Sequence, residues 1–307
     1  MDLDAVRLNF SSESLIFLNV LIGLIIFGIA LDLTPGDFTK VFKSPKAPLV
    51  GLLAQFAGLP FFTFLLTLVL QPSPSIALGM ILIGACPGGN MSNFLTHLAR
   101  GNAALSVTMT AVSTVAAVVM TPLNVQIYGY LNPSTRPILQ AVELDFMTLF
   151  LTVLTILCVP MAAGMIVNRY VPAVSARLHG PFKYFSILFF ISFLVMAFMS
   201  NYDVFVNTIH RVALAVILHN ATALLVGYGA ARLCRLDQRD ARAVCIEVGI
   251  QNSALGLILI FGFFEGMGGM ALVAGTWGLW HIIVGLPLAW YWSLDPPREL
   301  ALEGAEP

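Results

Sequence analysis

The sequence predicts an all-α polytopic membrane protein, and three observations lead to this fold class. Of the 307 residues, 58% are hydrophobic and only 10% are charged, and the mean hydropathy is +0.89. Soluble domains have about 45–50% apolar and about 25% charged residues. The charges also lie between long apolar runs, with a formal net charge of −1. This composition excludes a soluble globular enzyme, a disordered chain and a nucleic-acid-binding protein.

Nine stretches are long and apolar enough to predict transmembrane helices, since a spanning helix needs about 20 apolar residues. The predicted stretches are residues 15–31, 47–70, 76–98, 103–122, 141–167, 184–200, 210–231, 243–264 and 270–293. The connections between them are short and polar. No extramembrane segment is therefore long enough to fold as a domain of its own.

The basic residues predict the orientation of these helices. With the N-terminus outside, the outer segments hold only Arg7, Arg136 and Arg211 of the 15 Lys and Arg residues. Because cytoplasmic loops carry an excess of Lys and Arg, this arrangement places the C-terminus in the cytoplasm. The polar N-terminal segment has no signal-peptide core and no transit-peptide character. We therefore expect a bacterial inner membrane, with a eukaryotic plasma membrane as the alternative.

The third stretch contains a predicted interruption of its helix. Pro87 is followed directly by Gly88 and Gly89. Proline removes a backbone donor and crowds the preceding turn, and glycine disfavours a helix interior. Three polar residues follow at once: Asn90, Ser92 and Asn93. Because hydrocarbon leaves freed backbone groups without partners, such an interruption indicates a buried or hydrated cavity. The alternative is a simple proline kink, which leaves the polar residues unexplained.

The eighth stretch contains a second polar cluster. Glu247 is the only acidic residue well separated from the predicted loops. Three more polar residues lie about one turn deeper: Gln251, Asn252 and Ser253. A charge at the bilayer centre costs at least ~2.5–3.5 kcal/mol, so Glu247 needs a partner. The alternative is a position near the inner interface, where Arg242 would pair with it.

Together these clusters predict a cation site between two interrupted helices. A carboxylate among amides and hydroxyls offers only oxygen donors, which suit a hard cation. Interrupted helices also expose backbone carbonyls that bind Na⁺, and one such helix in each half of a chain is typical of an inverted-repeat secondary transporter. The two halves share a weak internal pattern: Gly89-x-x-Ser92-Asn93 and Gly249-x-x-Asn252-Ser253.

The fourth stretch adds hydroxyl groups on one helix face. Ser106, Thr110 and Thr114 recur every four residues, so their side chains share a face that we expect to meet the third stretch. The alternative for each is a local hydrogen bond to the carbonyl one turn back. Gln55 is a lone polar residue in the second stretch, where an interhelical hydrogen bond is the ordinary role.

Sequence motifs for catalysis are missing. The chain has no HExxH and no Gly-x-Ser-x-Gly, and no Asp pair lies within the predicted helices. We therefore predict no catalytic residues and no enzymatic activity.

Two strings of the sequence closely resemble the bile acid:sodium symporter family. They are Cys86-Pro87-Gly88-Gly89-Asn90-Met91-Ser92-Asn93, followed by Leu98-Ala99-Arg100-Gly101-Asn102-Ala103-Ala104-Leu105-Ser106, and Ile246-Glu247-Val248-Gly249-Ile250-Gln251-Asn252-Ser253. The early segment Ala54-Gln55-Phe56 is also similar, and the likeness covers about residues 20–293. Both motifs in order, about 160 residues apart, are highly specific.

The resemblance implies the fold of apical sodium-dependent bile acid transporters. A core domain contains two crossed discontinuous helices, and a smaller panel domain packs beside it. Here the panel would comprise residues 15–31 and 141–200, and the core residues 47–124 and 209–293. Bacterial members commonly have ten helices, and this chain would lack the first, which leaves nine.

The resemblance also implies two bound Na⁺ ions. One site would use Ser92, Asn93, Ser106, Thr110 and Glu247. The other would use Glu247, Gln251, Gln55 and the backbone carbonyls of Val248 and Ile250. Glu247 would then bridge the two ions.

The expected substrate-binding residues surround the same crossing: Gly89, Asn90, Asn252, Ser253 and His281. Ile282 stands where similar proteins have an asparagine, so steroid or pantoate-like ligands do not simply carry over. His281 is either a substrate or gating contact or a buried structural histidine.

The predicted function is sodium-coupled symport of a small organic anion by alternating access. The anion would be bile-acid-like, a keto or hydroxy acid, or a sulfonate. The alternatives are a proton-coupled or exporting transporter of the same fold and a ligand sensor that does not transport. The expected partners are the substrate and the lipid bilayer, and the sequence indicates no oligomeric state.

Overall fold

A computed structural model describes residues 3–5, 7, 12–36, 38–39, 44–89, 91–178, 180–182, 188, 192, 195, 199 and 202–295. Within these residues the chain is helical, and the only β-type pairings are two isolated bridges. The helices are α1 (Ser12–Ala30), α2 (Lys46–Leu70), α3 (Pro74–Ala85), α4 (Met91–Leu98), α5 (Ala103–Leu131), α6 (Arg136–Val142), α7 (Phe146–Tyr170), α8 (Tyr202–Leu233), α9 (Gln238–Gly249), α10 (Ser253–Phe263) and α11 (Gly268–Leu294).

Five helices among the described residues are long and apolar enough to cross a membrane: Lys46–Leu70, Ala103–Leu131, Phe146–Tyr170, Val206–Leu233 and Gly268–Leu294. The all-α polytopic class is therefore confirmed. The count of nine stays a prediction, because most of stretch 184–200 lies outside the described residues.

Three predicted stretches differ clearly in their bounds from the helices that form. The seventh, 210–231, begins earlier, since α8 runs from Tyr202 to Leu233. The fourth stretch continues to Leu131, because Pro122 is accommodated inside α5, as membrane helices often allow. The fifth, 141–167, starts later than predicted, because α6 ends at Val142, Glu143 takes a left-handed conformation with φ 50°, and α7 begins at Phe146. Asp145 then caps α7 by accepting from Thr148 N at 2.7 Å. This backbone bond, with the Thr148 hydroxyl, holds the pKa of the Asp145 carboxyl below its usual range.

Helices α1 and α7 pack closely against each other. A Cβ on Gly164 of α7 would lie only 2.6 Å from Phe27 O of α1. Just beyond the end of α1, the Ser175 hydroxyl donates to Leu31 O at 2.6 Å, and Asn168 Nδ2 donates to Leu33 O at 3.1 Å. Elsewhere, α3 lies directly against α11, so that a Cβ on Gly79 would be 2.8 Å from the Met270 backbone. The third and eighth predicted stretches each form two helices, α3 with α4 and α9 with α10. These two interruptions position the candidate site.

Candidate functional site

The two interrupted helices cross at their breaks and are joined by backbone hydrogen bonds. Gly89 N donates to Ile250 O, and Asn252 N donates to Pro87 O at 2.9 Å. Gly88 and Gln251 form an antiparallel bridge between them. The peptide groups freed by each break therefore find partners in the other one. The predicted crossing of two discontinuous helices is confirmed.

Side chains from three neighbouring helices donate hydrogen bonds to other carbonyls that the breaks leave without a helical partner. The bonds are Thr121 Oγ1 to Ala85 O at 2.7 Å, Gln55 Nε2 to Cys86 O at 2.8 Å and Asn220 Nδ2 to Gly249 O at 2.8 Å. At the depth of the hydrocarbon, an unpaired carbonyl would cost several kcal/mol. A simple proline kink would need none of these donors, so that alternative is wrong.

The first break tolerates only glycine at two positions. A Cβ on Gly88 would collide with the carboxylate of Glu247, and one on Gly89 would lie 2.9 Å from Gln251 O. Real Cβ atoms essentially never approach heavy atoms this closely. The glycines therefore bring the backbone of α3–α4 into contact with Glu247.

Glu247 lies in a cluster of oxygen atoms and is fully buried, with 0% exposure. Its Oε2 accepts from Ser92 Oγ and lies 3.5 Å from Ser106 Oγ, and Thr110 Oγ1 lies 2.9 Å from both carboxylate oxygens. Asn93 Oδ1 accepts from Ser106 Oγ at 2.8 Å and lies 3.1 Å from Thr110 Oγ1. The structure thus brings together all five residues predicted for the first cation site.

The hydroxyl face of α5 is only partly directed at this cluster. Ser106 and Thr110 reach it, whereas Thr114 Oγ1 donates to Thr110 O at 2.7 Å. Thr114 therefore has the local, one-turn-back hydrogen bond that was the alternative for each hydroxyl, and Thr110 Oγ1 also lies 3.0 Å from Ser106 O.

Arg242 is also buried, but its guanidinium donates hydrogen bonds to backbone carbonyls at or near helix ends. It donates to Ala99 O at 2.8 Å, Trp292 O at 3.0 Å and Asp295 O at 2.7 Å. The Glu247 carboxylate instead receives its hydrogen bonds from hydroxyl groups. The alternative of an Arg242–Glu247 pair near the inner interface is therefore wrong.

A second cluster adjoins the first and contains the predicted residues of the second site. Gln55 Nε2 donates to Gln251 Oε1 at 2.9 Å, and Gln251 Nε2 donates to Gln55 Oε1 at 3.2 Å. Gln251 Nε2 also donates to Val248 O at 2.6 Å. Ile250 O accepts from Gly89 N. Apart from Glu247, each residue predicted to bind this ion through an oxygen already accepts a hydrogen bond from an N–H group at that oxygen.

Gln55 owes its position to a π-helical turn, Ala54–Gly58, within α2. Such single turns are frequent at functional sites because they insert one residue and redirect the side chains. Asn124 Nδ2 donates to Phe56 O in this turn at 3.0 Å. The turn places Gln55 between the end of α3 and the Gln251 side chain.

The predicted substrate residues have different surroundings. The Gly89 amide is used within the crossing, and Asn252 caps α10 by accepting from Leu255 N at 3.1 Å. Ser253 is buried as the first residue of α10. His281 is buried in α11, and its Nδ1 has no hydrogen-bond partner among the described residues. Asn90 lies outside the described residues.

Three supporting residues were missed by the sequence analysis: Thr121, Asn124 and Asn220. Thr121 and Asn124 lie three residues apart on one face of α5, which is a weak signal, and Asn220 follows His219 in α8 without a spacing pattern that would distinguish it. Within the described part of the chain, no group of three His, Cys, Asp or Glu is placed to hold a metal ion. The candidate site is therefore one of hydroxyl, amide, carbonyl and single-carboxylate oxygens.

Comparison with known proteins gives a consistent result. The model of the Sodium Bile acid symporter family matches residues 19–208. The chain is 32% identical over 299 residues to the "Uncharacterized sodium-dependent transporter YocS" of Bacillus subtilis, covering 96% of this chain and 90% of that protein. It is 32% identical over 273 residues to the Arabidopsis thaliana "Probable sodium/metabolite cotransporter BASS1, chloroplastic", covering 89% of this chain and 66% of that protein.

A human protein, "Sodium/bile acid cotransporter 4", is 31% identical over 244 residues. The match covers 78% of this chain and 55% of the human protein. This chain therefore spans less than two thirds of the length of the plant and human relatives. All three relatives are named as transporters that depend on sodium.

Proposed function

The chain belongs to the sodium bile acid symporter family, and from this premise we propose that it couples inward Na⁺ movement to uptake of a small organic anion. Membership makes it an integral membrane protein of a sodium-dependent transporter family. The observation that carries the proposal is the buried Glu247 carboxylate, which is surrounded by oxygen atoms from both interrupted helices and from α5. A bound cation would neutralise such a carboxylate.

The first Na⁺ would bind Glu247 together with Ser92, Asn93, Ser106 and Thr110. Their oxygens already converge, and three of them belong to hydroxyl groups. A hydroxyl can rotate its hydrogen away and present a lone pair without moving its oxygen. These residues can therefore become ligands of a sodium ion through hydroxyl rotation and small shifts of their oxygens.

The second Na⁺ would bind Glu247, Gln251, Gln55 and the carbonyls of Val248 and Ile250. The Gln251 amide donates to Val248 O, so it would turn before that carbonyl could face an ion. The first site thus needs hydroxyl rotation and small shifts, whereas the second needs rearrangement of an amide pair. We therefore infer that the first ion binds before the second.

The substrate would be a monovalent organic anion. Two Na⁺ ions and one carboxylate leave a net charge of one positive unit, which such an anion neutralises. The anion would lie near Gly89, Asn90, Asn252, Ser253 and His281. The N-terminus of α10 begins at Ser253 and attracts negative charge through its backbone amides. His281 Nδ1, which has no partner among the described residues, adds a side chain that can bind the anion.

Transport would proceed by alternating access between a panel (residues 15–31 and 141–200) and a core (residues 47–124 and 209–293). The close packing of α1 on α7 supports a panel unit, and the hydrogen-bonded crossing supports a core that moves as one body. The charge distribution supports an N-terminus outside and a C-terminus inside.

Thermal denaturation of the purified protein tests the coupling. Na⁺ is expected to raise the melting temperature, while K⁺ or choline at equal ionic strength is not. Ligand at 100 times its dissociation constant stabilises a protein by about 2.7 kcal/mol. In a screen of small carboxylates and sulfonates, the substrate would add a further shift only with Na⁺ present. Equal shifts in Na⁺, K⁺ and choline would contradict the proposal.

Proton coupling is the competing function, because a buried carboxyl among hydroxyls also suits a bound proton. Proteoliposomes separate the two mechanisms once the screen has supplied a substrate. An inward Na⁺ gradient at constant pH is expected to drive uptake, and a pH jump without Na⁺ is not. Uptake that follows only the pH jump would establish proton coupling instead.

Replacing Thr110 with valine is expected to weaken Na⁺ binding. The change removes a hydroxyl 2.9 Å from both Glu247 oxygens and keeps the side-chain shape. The loss of a residue that merely supports a metal site weakens binding by about 10- to 100-fold, so we expect the loss of this oxygen ligand to raise the half-saturating Na⁺ concentration by at least about 10-fold. Sodium titration followed by melting temperature measures this change.

Thr108→Val is the matched control for this substitution. Thr108 is equally buried in α5, but its hydroxyl donates to Ala104 O at 2.9 Å. We expect Thr108→Val to keep the wild-type sodium midpoint and Thr110→Ser to restore most of it. Similar midpoints for the two valine variants would remove Thr110 from the site.

A further inference from the structure

We propose that Asn220 and Asn124 are positioning residues for the second cation site. Neither is among the residues that would contact the ion. Each donates a hydrogen bond to a backbone carbonyl beside one half of the site. The inference rests on the proposed function, because it assigns a role at the site where the second Na⁺ would bind.

Asn220 fixes the peptide at the end of α9. In a continuous helix, Gly249 O would accept from Ser253 N, but that N–H donates to Gln251 O at 2.9 Å. Asn220 Nδ2, from α8, replaces it at 2.8 Å. The Asn220 side chain is buried, with 1% exposure, and an amide in this environment is kept only where it is hydrogen-bonded.

The position of Gly249 makes this bond important for ion binding. Gly249 lies between Val248 and Ile250, whose carbonyls would be ligands of the second ion. A peptide group is planar, so holding the Gly249 carbonyl fixes the plane of the peptide that joins Gly249 to Ile250. Asn220 therefore removes one of the rotations through which the flanking carbonyls could turn, without contacting the ion.

Asn124 performs the corresponding task on the opposite side of the site. It donates to Phe56 O at 3.0 Å, next to Gln55 in the π-helical turn. That turn reaches from Leu59 N back to Ala54 O, five residues away. The side-chain donor from α5 stabilises this widened turn. Without it, α2 would favour regular α-helical bonding, and Gln55 would rotate away from Gln251.

Sodium titration of the full-length protein tests the proposal, with melting temperature as the readout. Asn220→Ala and Asn124→Ala are expected to raise the half-saturating Na⁺ concentration by about 10-fold, the lower end of the losses seen when supporting residues of metal sites are removed. The Hill coefficient should fall toward one, because the first site is untouched.

Asn132→Ala is the matched control. Asn132 is buried, and its Nδ2 donates to Thr67 Oγ1 at 3.0 Å, at the end of α5 and away from the crossing. This variant should lower the melting temperature without changing the sodium midpoint or the Hill coefficient. If Asn220→Ala does not fold, two other variants test the inference. Asn220→Ser keeps a smaller donor at this position, and Asn124→Ala removes the donor on the other side of the site.

Two results would overturn the inference while leaving the proposed function intact. One is a set of positioning variants with midpoints within about twofold of wild type. The other is an equal change of midpoint in Asn132→Ala. A wild-type protein that shows no response to Na⁺ would overturn the proposed function and the inference together.

Discussion

Glu247→Gln is expected to abolish the Na⁺ response and to leave the protein folded. Glutamine has nearly the same shape as glutamate and can still hydrogen-bond to Ser92 and Thr110. The change removes the one negative charge that would bridge two cations in a fully buried site. Losing one partner of a buried charge pair costs about 3–5 kcal/mol, which corresponds to a loss of Na⁺ affinity of more than about 100-fold.

The measurement is the melting temperature in Na⁺ and in choline. In choline, the variant should be as stable as wild type or more stable, because it no longer buries an unpaired charge. Glu265→Gln provides the control, since Glu265 is 88% exposed and lies 3.9 Å from Arg7. That variant should respond to Na⁺ as the wild type does. A wild-type sodium midpoint in Glu247→Gln would refute the role assigned to this carboxylate.

Gly88→Ala is expected to have the second-largest effect. The added methyl group would occupy the space of the Glu247 carboxylate. That carboxylate is held by three hydroxyl-bearing residues, so it has no alternative position that keeps its hydrogen bonds. Overpacking of this kind costs about 1–3 kcal/mol of unfolding free energy. We also expect the Na⁺-dependent thermal shift to disappear, because the carboxylate is displaced from Ser92 and Thr110.

Gly275→Ala separates this effect from the general consequence of adding a methyl group. Gly275 lies inside α11, and a Cβ there meets no atom within 4 Å. Alanine also favours a helix interior over glycine by about 1 kcal/mol. Gly275→Ala should therefore keep both stability and the sodium response. If Gly88→Ala also kept both its stability and its sodium response, the close approach of Gly88 to the Glu247 carboxylate would be wrong.

The first break could be predicted from sequence because its cause is local. Pro87, Gly88 and Gly89 are poor helix formers, and three of the next four residues are polar. The second break has one glycine, Gly249, and no proline. The sequence predicts it from Glu247 and the amide side chains that follow, and so from side-chain chemistry rather than from backbone propensity.

The supporting residues could not be predicted from the sequence for a physical reason. Thr121, Asn124 and Asn220 act only because α5 and α8 pack beside the breaks, and a single chain position carries no record of that packing. The same limit applies to α5, where Pro122 would be expected to end the helix but the fold accommodates it. The sequence therefore predicted the groups that we propose as ion ligands and missed the groups that hold the backbone.

The crossing has a consequence for how the protein is made. Ser92 and Glu247 are 155 residues apart, and Pro87 O accepts from Asn252 N. Until α9 and α10 have been synthesised, Ser92 and the Pro87 carbonyl lack Glu247 and Asn252, which they contact in the folded protein. The insertion machinery or water must shield them until the second helix is synthesised, because lipid offers no donors. Biogenesis of this transporter is therefore completed late, and chains truncated between α5 and α9 are expected to be substrates for membrane quality control.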